Sequence, residues 1–224
     1  TDGGDTWNEL TNGIPKSNMA KIGLAISPQK PDVLYAAIEL DRTKGAVYKS
    51  EDRGASWKKM SNTVSGGTGP HYYQELYTSP HKFDRLYLMD TGIQISENGG
   101  KTFKRLKDKY KHVDNHAIAF RNDDPKYLLV GTDGGLYESF DHAENWRFFE
   151  NMPITQFYKV AVDDEEPFYN IYGGTQDNDS FGGPSRTNNS SGIRNSDWFV
   201  TTGGDGFQVR IDCLLYTSDA ADEG

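Results

Sequence analysis

One short motif returns along this chain at nearly regular intervals and limits the folds open to it. Thr1-Asp2-Gly3-Gly4-Asp5-Thr6-Trp7, Ser50-Glu51-Asp52-Arg53-Gly54-Ala55-Ser56-Trp57 and Ser96-Glu97-Asn98-Gly99-Gly100-Lys101-Thr102-Phe103 align without gaps. A degenerate copy runs from Ser139 through Asp141 to Trp146, and Asp197-Trp198 reads as the remnant of a fifth. The closing aromatics fall 50, 46, 43 and 52 positions apart. A second signature keeps the same step: an apolar run, a turn, then a second apolar run that usually carries Tyr. Its copies are Ile22–Ile26 with Val33–Ile38, Tyr72–Thr78 with Arg85–Leu88, His116–Phe120 with Tyr127–Val130, and Phe157–Val162 with Tyr169–Tyr172. A short third run follows in each unit, and the motif aromatic opens a fourth. Four strands per roughly 40–50 residues is the period of a propeller blade. No window shows ten or more residues of helical periodicity, which excludes βαβ units. A two-sheet sandwich would supply the strands without the fixed period. The predicted fold class is therefore all-β, a partial β-propeller of about four to five four-stranded antiparallel blades.

The repeat also sets expected boundaries. Blades are predicted over about 17–62, 68–109, 112–152 and 155–202, with the end of a preceding blade at 1–16 and the start of a further one at 205–212. Thr1 opens inside a motif, so an upstream chain is expected. After Asp212 the pattern breaks abruptly. Residues 213–224, which hold the one cysteine, Cys213, resemble a translated adapter of the kind found at the ends of metagenomic fragments and are expected to be non-native.

Charge narrows the partners. Asp and Glu outnumber Lys and Arg by 33 to 24, a formal charge of −9, and no basic stripe is visible, which argues against nucleic acid. No apolar run approaches the roughly 18 residues of a membrane helix, so no membrane insertion is expected. A cysteine-poor body fits an exported or a cytosolic bacterial protein equally well.

The recurring motif resembles the Asp-box (BNR repeat), Ser-x-Asp-x-Gly-x-Thr-Trp, of sialidases, xyloglucanase-like propellers and sortilin-type proteins. Its physical role is that of a hairpin. The Asp carboxylate accepts backbone N–H groups across the turn, Gly takes a left-handed conformation, and the aromatic packs between sheets. Asp2, Asp52, Asn98 and Asp141, with Trp7, Trp57, Phe103 and Trp146, are accordingly read as structural. A residue repeated in every blade does not mark one site, and Asn98 at the Asp position favours hydrogen bonding over charge.

A site on such a fold is expected at the channel mouth, near the starts of the first strands and the ends of the second. The polar residues there are His71, Tyr72 and Tyr73, then His112, Asp114, Asn115 and His116, then Asp133, then Gly173-Gly174-Thr175-Gln176-Asp177-Asn178, and finally Asp205 between glycines. Amides and carboxylates beside glycines suit the hydroxyls of a sugar, and Tyr72, Tyr73 or Trp198 would stack on its ring. An Asx-turn explains the Gln176–Asn178 run equally well. His112, Asp114 and His116 alternate and would share one face of an extended strand. Three ligands from one strand rarely converge on a metal, so a polar channel wall is expected, with no metal and no cofactor.

Beyond the motif, residues 1–212 look like large bacterial proteins of the glycosyl hydrolase-like and sortilin-like kind. The resemblance rests on Asp2–Trp7 with Asn12–Pro15, on Lys21–Gly23 through Pro28, on Asp114-Asn115-His116, on Tyr172–Asn178, and on Asp197-Trp198 through Phe207. It implies a secreted, periplasmic or cell-surface propeller directed at carbohydrate, with Asp114, Asp177 and Asp205 as candidate catalytic carboxylates. His71, Tyr72, Tyr73, Asn115, His116, Gln176 and Asn178 are the candidate ligand contacts. No arginine cluster or Arg-Ile-Pro signature supports a sialidase. The alternatives are a non-catalytic sortilin-like propeller holding a peptide or glycan, and a surface scaffold. The chain by itself is expected to be inactive, with an open ring and half a channel.

Overall fold

The computed structural model of the chain describes residues 2–41, 43–66, 72–152, 154–212 and 217–219, with backbone alone at 212 and 217–219. His71 lies outside the described residues, as do Cys213 and most of the expected tail. The chain divides into two compact units, residues 1–150 and 151–224.

The first unit holds three four-stranded antiparallel sheets in chain order. Blade one is β1 (Ile22–Ile26), β2 (Leu34–Asp41), β3 (Lys44–Ser50) and β4 (Lys58–Ser61). Blade two is β5 (Leu76–Thr78), β6 (Leu86–Leu88), β7 (Gln94–Ser96) and β8 (Lys104–Arg105). Blade three is β9 (Asn115–Phe120), β10 (Leu128–Thr132), β11 (Gly135–Ser139) and β12 (Arg147–Phe148). Each strand pairs with its sequence neighbour, so every blade is a meander. The second unit holds a fourth such sheet: β13 (Lys159–Val162), β14 (Asn170–Gly174), β15 (Ser180–Pro184) and β16 (Phe199–Thr202). A short ribbon pairs β17 (Arg210–Asp212) with β18 (Thr217–Asp219). The chain is thus all-β, a series of four-stranded antiparallel blades. No helix of the described residues is long and apolar enough to cross a membrane.

Side-chain alternation explains how the blades of the first unit pack. Successive residues of a strand point to opposite faces. In β2, Tyr35 and Ala37 enter a cluster with Leu76, Leu86 and Leu88 of blade two. Their neighbours Ala36 and Ile38 pack on the other face with Ala46, Tyr48, Trp57 and Ile14. In β6, Leu86 and Leu88 face blade one while Tyr87 joins Ile95, Ile118, Leu128 and Val130 of blades two and three. A middle strand buried on both faces is apolar there, as Leu34–Ile38 of β2 and Leu86–Leu88 of β6 are.

In blades one to three the recurring motif closes the hairpin between the third and fourth strands by one repeated set of bonds. Ser50 Oγ accepts the Gly54 N–H at 2.8 Å, Ser96 Oγ that of Gly100 at 2.9 Å, and Ser139 Oγ that of Ala143 at 2.8 Å. Asp52, Asn98 and Asp141 each accept the amide four residues on, at 2.8, 3.0 and 2.9 Å. Two successive residues have positive φ: Arg53 and Gly54, Gly99 and Gly100, His142 and Ala143. Ala143 is the one non-glycine at the second position, and its methyl is buried in the core between blades two and three. The motif carboxylates are acidified by their donors. The Asn145 side chain and amide hold the Asp141 carboxyl down at about 2. Trp57 is buried, whereas Trp7 is 88 % exposed and finds no cover among the described residues.

Two strand expectations need correction. The run from Tyr72 does not begin a strand, since β5 starts only at Leu76. Gln74 is fully buried with φ 93, and its Oε1 accepts the Ser65 N–H and hydroxyl, which bends the entering chain away from the ladder. His112, Asp114 and His116 do not share a strand face either. Asp114 has φ 62, and β9 begins only at Asn115.

Candidate functional site

In the first unit, the entrance to β9 gathers several of the residues singled out from sequence. The Asp114 N–H donates to Thr91 O at 3.0 Å, and the Asn115 N–H to Asp90 O at 3.0 Å. The left-handed Asp114 turns its carbonyl to the Asp133 N–H, 3.2 Å away at the end of β10. Two blade-edge carboxylates are thereby drawn together: an oxygen of Asp114 lies within 4.8 Å of one of Asp133. Around them stand aromatic rings. The Tyr73 hydroxyl donates to Asp114 Oδ1, and the Tyr72 hydroxyl lies 3.4 Å from Asp133 Oδ2. His116 stacks on Tyr73 at 5.4 Å between centroids and meets Tyr72 edge-on at 5.2 Å. Its Nε2 is 3.1 Å from Asp133 Oδ1 but off the line a hydrogen bond requires. Burial and the Asp114 contact push the Tyr73 phenol well above the ordinary range, so this hydroxyl stays protonated and donating.

Burial separates ligand contacts from supports. Tyr72 is 41 % exposed, while Tyr73 is 1 % exposed. Tyr73 therefore anchors Asp114 and presents no stacking face, contrary to the reading from sequence. Asn115 is corrected in the same way. It is fully buried, and its amide donates to Asp90 O at 3.0 Å and Thr91 O at 2.8 Å, so nothing remains for a ligand. His112 turns its Nδ1 to Val113 O at 2.9 Å and covers Gly134, where a Cβ would meet its ring at 2.5 Å.

Sequence reasoning missed Lys111. Its side chain is 8 % exposed, donates to Asn115 Oδ1 and to His112 O, and sits 5.4 Å from the Trp146 ring and 5.9 Å from that of Tyr137. Burial lowers this ammonium to about 8. Lys111 thus fixes Asn115, which in turn fixes the turn carrying Asp114. A lysine in a polar run gives no local sign of burial.

In the second unit the Thr175–Asp179 loop is tied to the loop at 203–206. Asp205 Oδ1 accepts the Asp177 N–H at 2.7 Å, Asp179 Oδ1 accepts that of Gly204 at 2.9 Å, and the Gly206 N–H reaches Thr175 O at 2.8 Å. Asp177 and Asp179 both have positive φ, at 60° and 69°. Asp205 is therefore engaged as a loop clamp. Asn178 donates to Gln176 O at 3.0 Å within the loop, and Gln176 Oε1 accepts the Tyr158 hydroxyl at 2.6 Å. Tyr158 stacks on Phe207 at 4.3 Å and 9°, and both rings are about half exposed. This flat aromatic pair beside an amide went unread because its partners are 49 residues apart in sequence. Trp198 instead stacks over Phe157 at 6.3 Å.

No family model matches the chain. Three curated proteins resemble parts of it. An oligoxyloglucan-reducing end-specific xyloglucanase of Emericella nidulans is 26 % identical over 167 residues, covering 67 % of this chain and 20 % of that protein. A xyloglucanase of Hypocrea jecorina is 28 % identical over 121 residues, covering 46 % and 14 %. A xyloglucanase of a Paenibacillus species is 29 % identical over 112 residues, covering 46 % and 10 %. The chain spans a fifth or less of the length of these relatives. Among solved structures, a GH74 enzyme of Niastella koreensis aligns with TM-score 0.49 at 15 % identity, covering 87 % of this chain and 32 % of that one. A GH74 xyloglucanase of Xanthomonas campestris aligns with TM-score 0.48 at 16 % identity, covering 72 % and 29 %.

Proposed function

We propose that this chain is part of a carbohydrate-directed, glycoside hydrolase-like propeller that engages a β-glucan of the xyloglucan type. The observation that carries the reading is the paired carboxylates of Asp114 and Asp133, within 4.8 Å of each other beside the exposed Tyr72. Two such carboxylates accept hydrogen bonds from neighbouring sugar hydroxyls, and an exposed aromatic side chain supplies the apolar contact a pyranose ring needs. The likeness to three xyloglucanases supports the choice of polysaccharide. A polymer of this kind lies outside the cell, so an exported or surface-bound protein follows from the reading. In the second unit, the Tyr158–Phe207 pair with Gln176 is the further sugar contact, and Asn178 buttresses its loop.

Catalysis is assigned to carboxylates of the longer protein, Asp114 in the first unit and Asp177 in the second, where Asp205 clamps the Asp177 loop. Glycoside hydrolysis needs one protonated acid and one ionised partner across the bond.

The test is isothermal titration of the chain with xyloglucan oligosaccharides beside cello- and malto-oligosaccharides, with new reducing ends measured in parallel. Saturable binding of xyloglucan fragments is expected, weakened roughly tenfold in Tyr72→Ala and Asp133→Asn. A chain with wild-type circular dichroism that binds no glycan of the panel would overturn the proposal. Binding without new reducing ends, in a longer protein too, would leave recognition and remove hydrolysis.

A further inference from the structure

A cavity of about 250 Å³ opens between blades two and three, lined from β7, β8 and the turn that follows β11. It stands apart from the carboxylate cluster. β9 starts at the cluster and β10 returns to it, whereas the turn at 139–146 caps the other end of the same ladder. The cavity is therefore at the opposite edge of the blades, and nothing in the reading above uses it.

Its lining reverses the charge of the chain. Arg85, Lys104 and Lys107 line it with Glu97 and Glu144 against them, and Arg105 borders it with its guanidinium turned to Asp108, in a chain whose formal charge is −9. Both glutamates are already committed. Glu97 takes Arg85 Nε at 3.0 Å and Lys82 Nζ at 2.7 Å, and Glu144 is bonded by Lys107. Arg105 is held by Asp108. Lys104 has no ion-pair partner among the described residues. Counting the lining with Lys82 and Asp108 leaves a net charge of +2.

The floor is polar and fixed. His142 Nε2 lies 3.0 Å from the Tyr87 hydroxyl and 3.4 Å from the Arg85 guanidinium. A guanidinium only donates, so Nε2 accepts and the ring proton sits on Nδ1. The backbone holds His142 at φ 62, followed by Ala143 at φ 71 where the equivalent turns have Gly54 and Gly100. The fourth copy of the motif is degenerate just where it meets this cavity.

We propose that this cavity binds a small oxyanion, a phosphate group or the carboxylate of a sugar acid. Arg85 presents a planar donor that matches oxyanion geometry, Lys104 supplies the uncompensated charge, and His142 lines the cavity beside them. The volume suits a phosphate or one monosaccharide and is below the usual size of a drug-like site. Burial and then the Arg85 charge hold His142 below the ordinary imidazole range; Glu97 and Glu144 pull the other way and Lys104 adds to the depression. A bound oxyanion offsets those cations, so occupancy raises the His142 pKa and proton uptake reports it.

The chain is titrated with sodium phosphate, sodium glucuronate and glucose at constant ionic strength set with chloride, following the His142 ring protons by NMR. Saturable shifts with phosphate or glucuronate are expected, together with a higher His142 pKa. Lys104→Ala combined with Lys107→Ala should weaken binding at least roughly fivefold, while Lys101→Ala changes it less than about twofold. Saturation by glucuronate alone identifies a sugar acid as the source, saturation by phosphate alone a phosphate group, and both together the shared chemistry. No saturation, an equal response to glucose or chloride, or unchanged affinity in the double variant of retained circular dichroism overturns the proposal.

Discussion

Ser50→Ala tests the physical account of the repeat most directly. The Ser50 hydroxyl is 1 % exposed and has every hydrogen-bonding capacity in use: it donates to Asp52 Oδ1 at 2.8 Å and accepts from Gly54 N–H at 2.8 Å and Asp52 N–H at 3.4 Å. Alanine fits the space but leaves the buried Gly54 amide without an acceptor. An unsatisfied buried donor costs about 1–3 kcal/mol, and the lost bond to a carboxylate falls in the same range. For a domain of this size that corresponds to a fall in Tm of roughly 2–12 °C. The chain supplies its own replicates, because Ser96 and Ser139 make the same bonds to Gly100 and Ala143. Ser96→Ala and Ser139→Ala should therefore lose comparable stability. Ser56→Ala, at a half-buried position, removes a solvent-facing hydroxyl bond to Asp52 and leaves no buried donor unpaired, so it should cost about 1 kcal/mol or less. Urea unfolding gives the free energies, and hydrogen exchange at the Gly54 amide reads the local effect. If Ser50→Ala matches Ser56→Ala and Gly54 keeps its protection, the hydroxyl is not what closes the turn and the account fails.

Three further outcomes follow from the same geometry. Gly23→Ala in β1 would set a Cβ 1.9 Å from Gln74 O, backbone against backbone between blades one and two, so a loss above about 3 kcal/mol is expected in urea unfolding; Gly131→Ala meets only the Ala117 Cβ at 3.7 Å and should change stability by less than about 1 kcal/mol. Lys111 has its pKa lowered to about 8 by burial, so between pH 8 and the usual lysine range the unfolded chain holds a proton the folded chain has released, and stability rises with pH; Lys111→Met should abolish that rise in unfolding midpoints measured from pH 7 to 10.5. Asp141, held at about 2 by Asn145, contributes stability that is present above the ordinary carboxylate value and disappears as pH falls from 3.8 towards 2; Asp141→Asn should flatten that part of the acid-unfolding curve.

The architecture was legible because its cause is local and repeated. A hairpin that needs Ser, Asp or Asn, and a left-handed residue at fixed offsets writes itself into the sequence three times, and strand alternation fills in the rest. Ala143 shows how far that legibility reaches: at the second left-handed position glycine is replaced, yet the three side-chain bonds of the turn persist and the methyl enters the core. The candidate site was only partly legible, because it is made between repeats. The Tyr73–Asp114 bond spans 41 residues, the Tyr72–Asp133 contact 61, and the Tyr87–His142 contact 55. No window of sequence contains both partners, so burial could not be assigned to either. That is why Tyr73 and Asn115 read as ligand contacts when they are the supports of Asp114, and why Lys111 and the cationic cavity went unread.

The same distinction bears on where a propeller acquires function. Bonds within one repeat, such as Ser50 to Gly54, recur in blades one to three and so cannot distinguish one of these blades from another. Asp114 and Asp133 belong to blade three alone, and their approach depends on a left-handed Asp114 that Lys111 and Asn115 hold in place through the carbonyls of Asp90 and Thr91. Replacing Asn115 by Leu would leave blade three its Ser139–Asp141 hairpin but release the Asp114 turn. Sugar binding should then fall with hairpin protection at Ala143 intact. Loss of both together would mean that the turn and the blade fold as one piece, and that the site has no support separable from the scaffold.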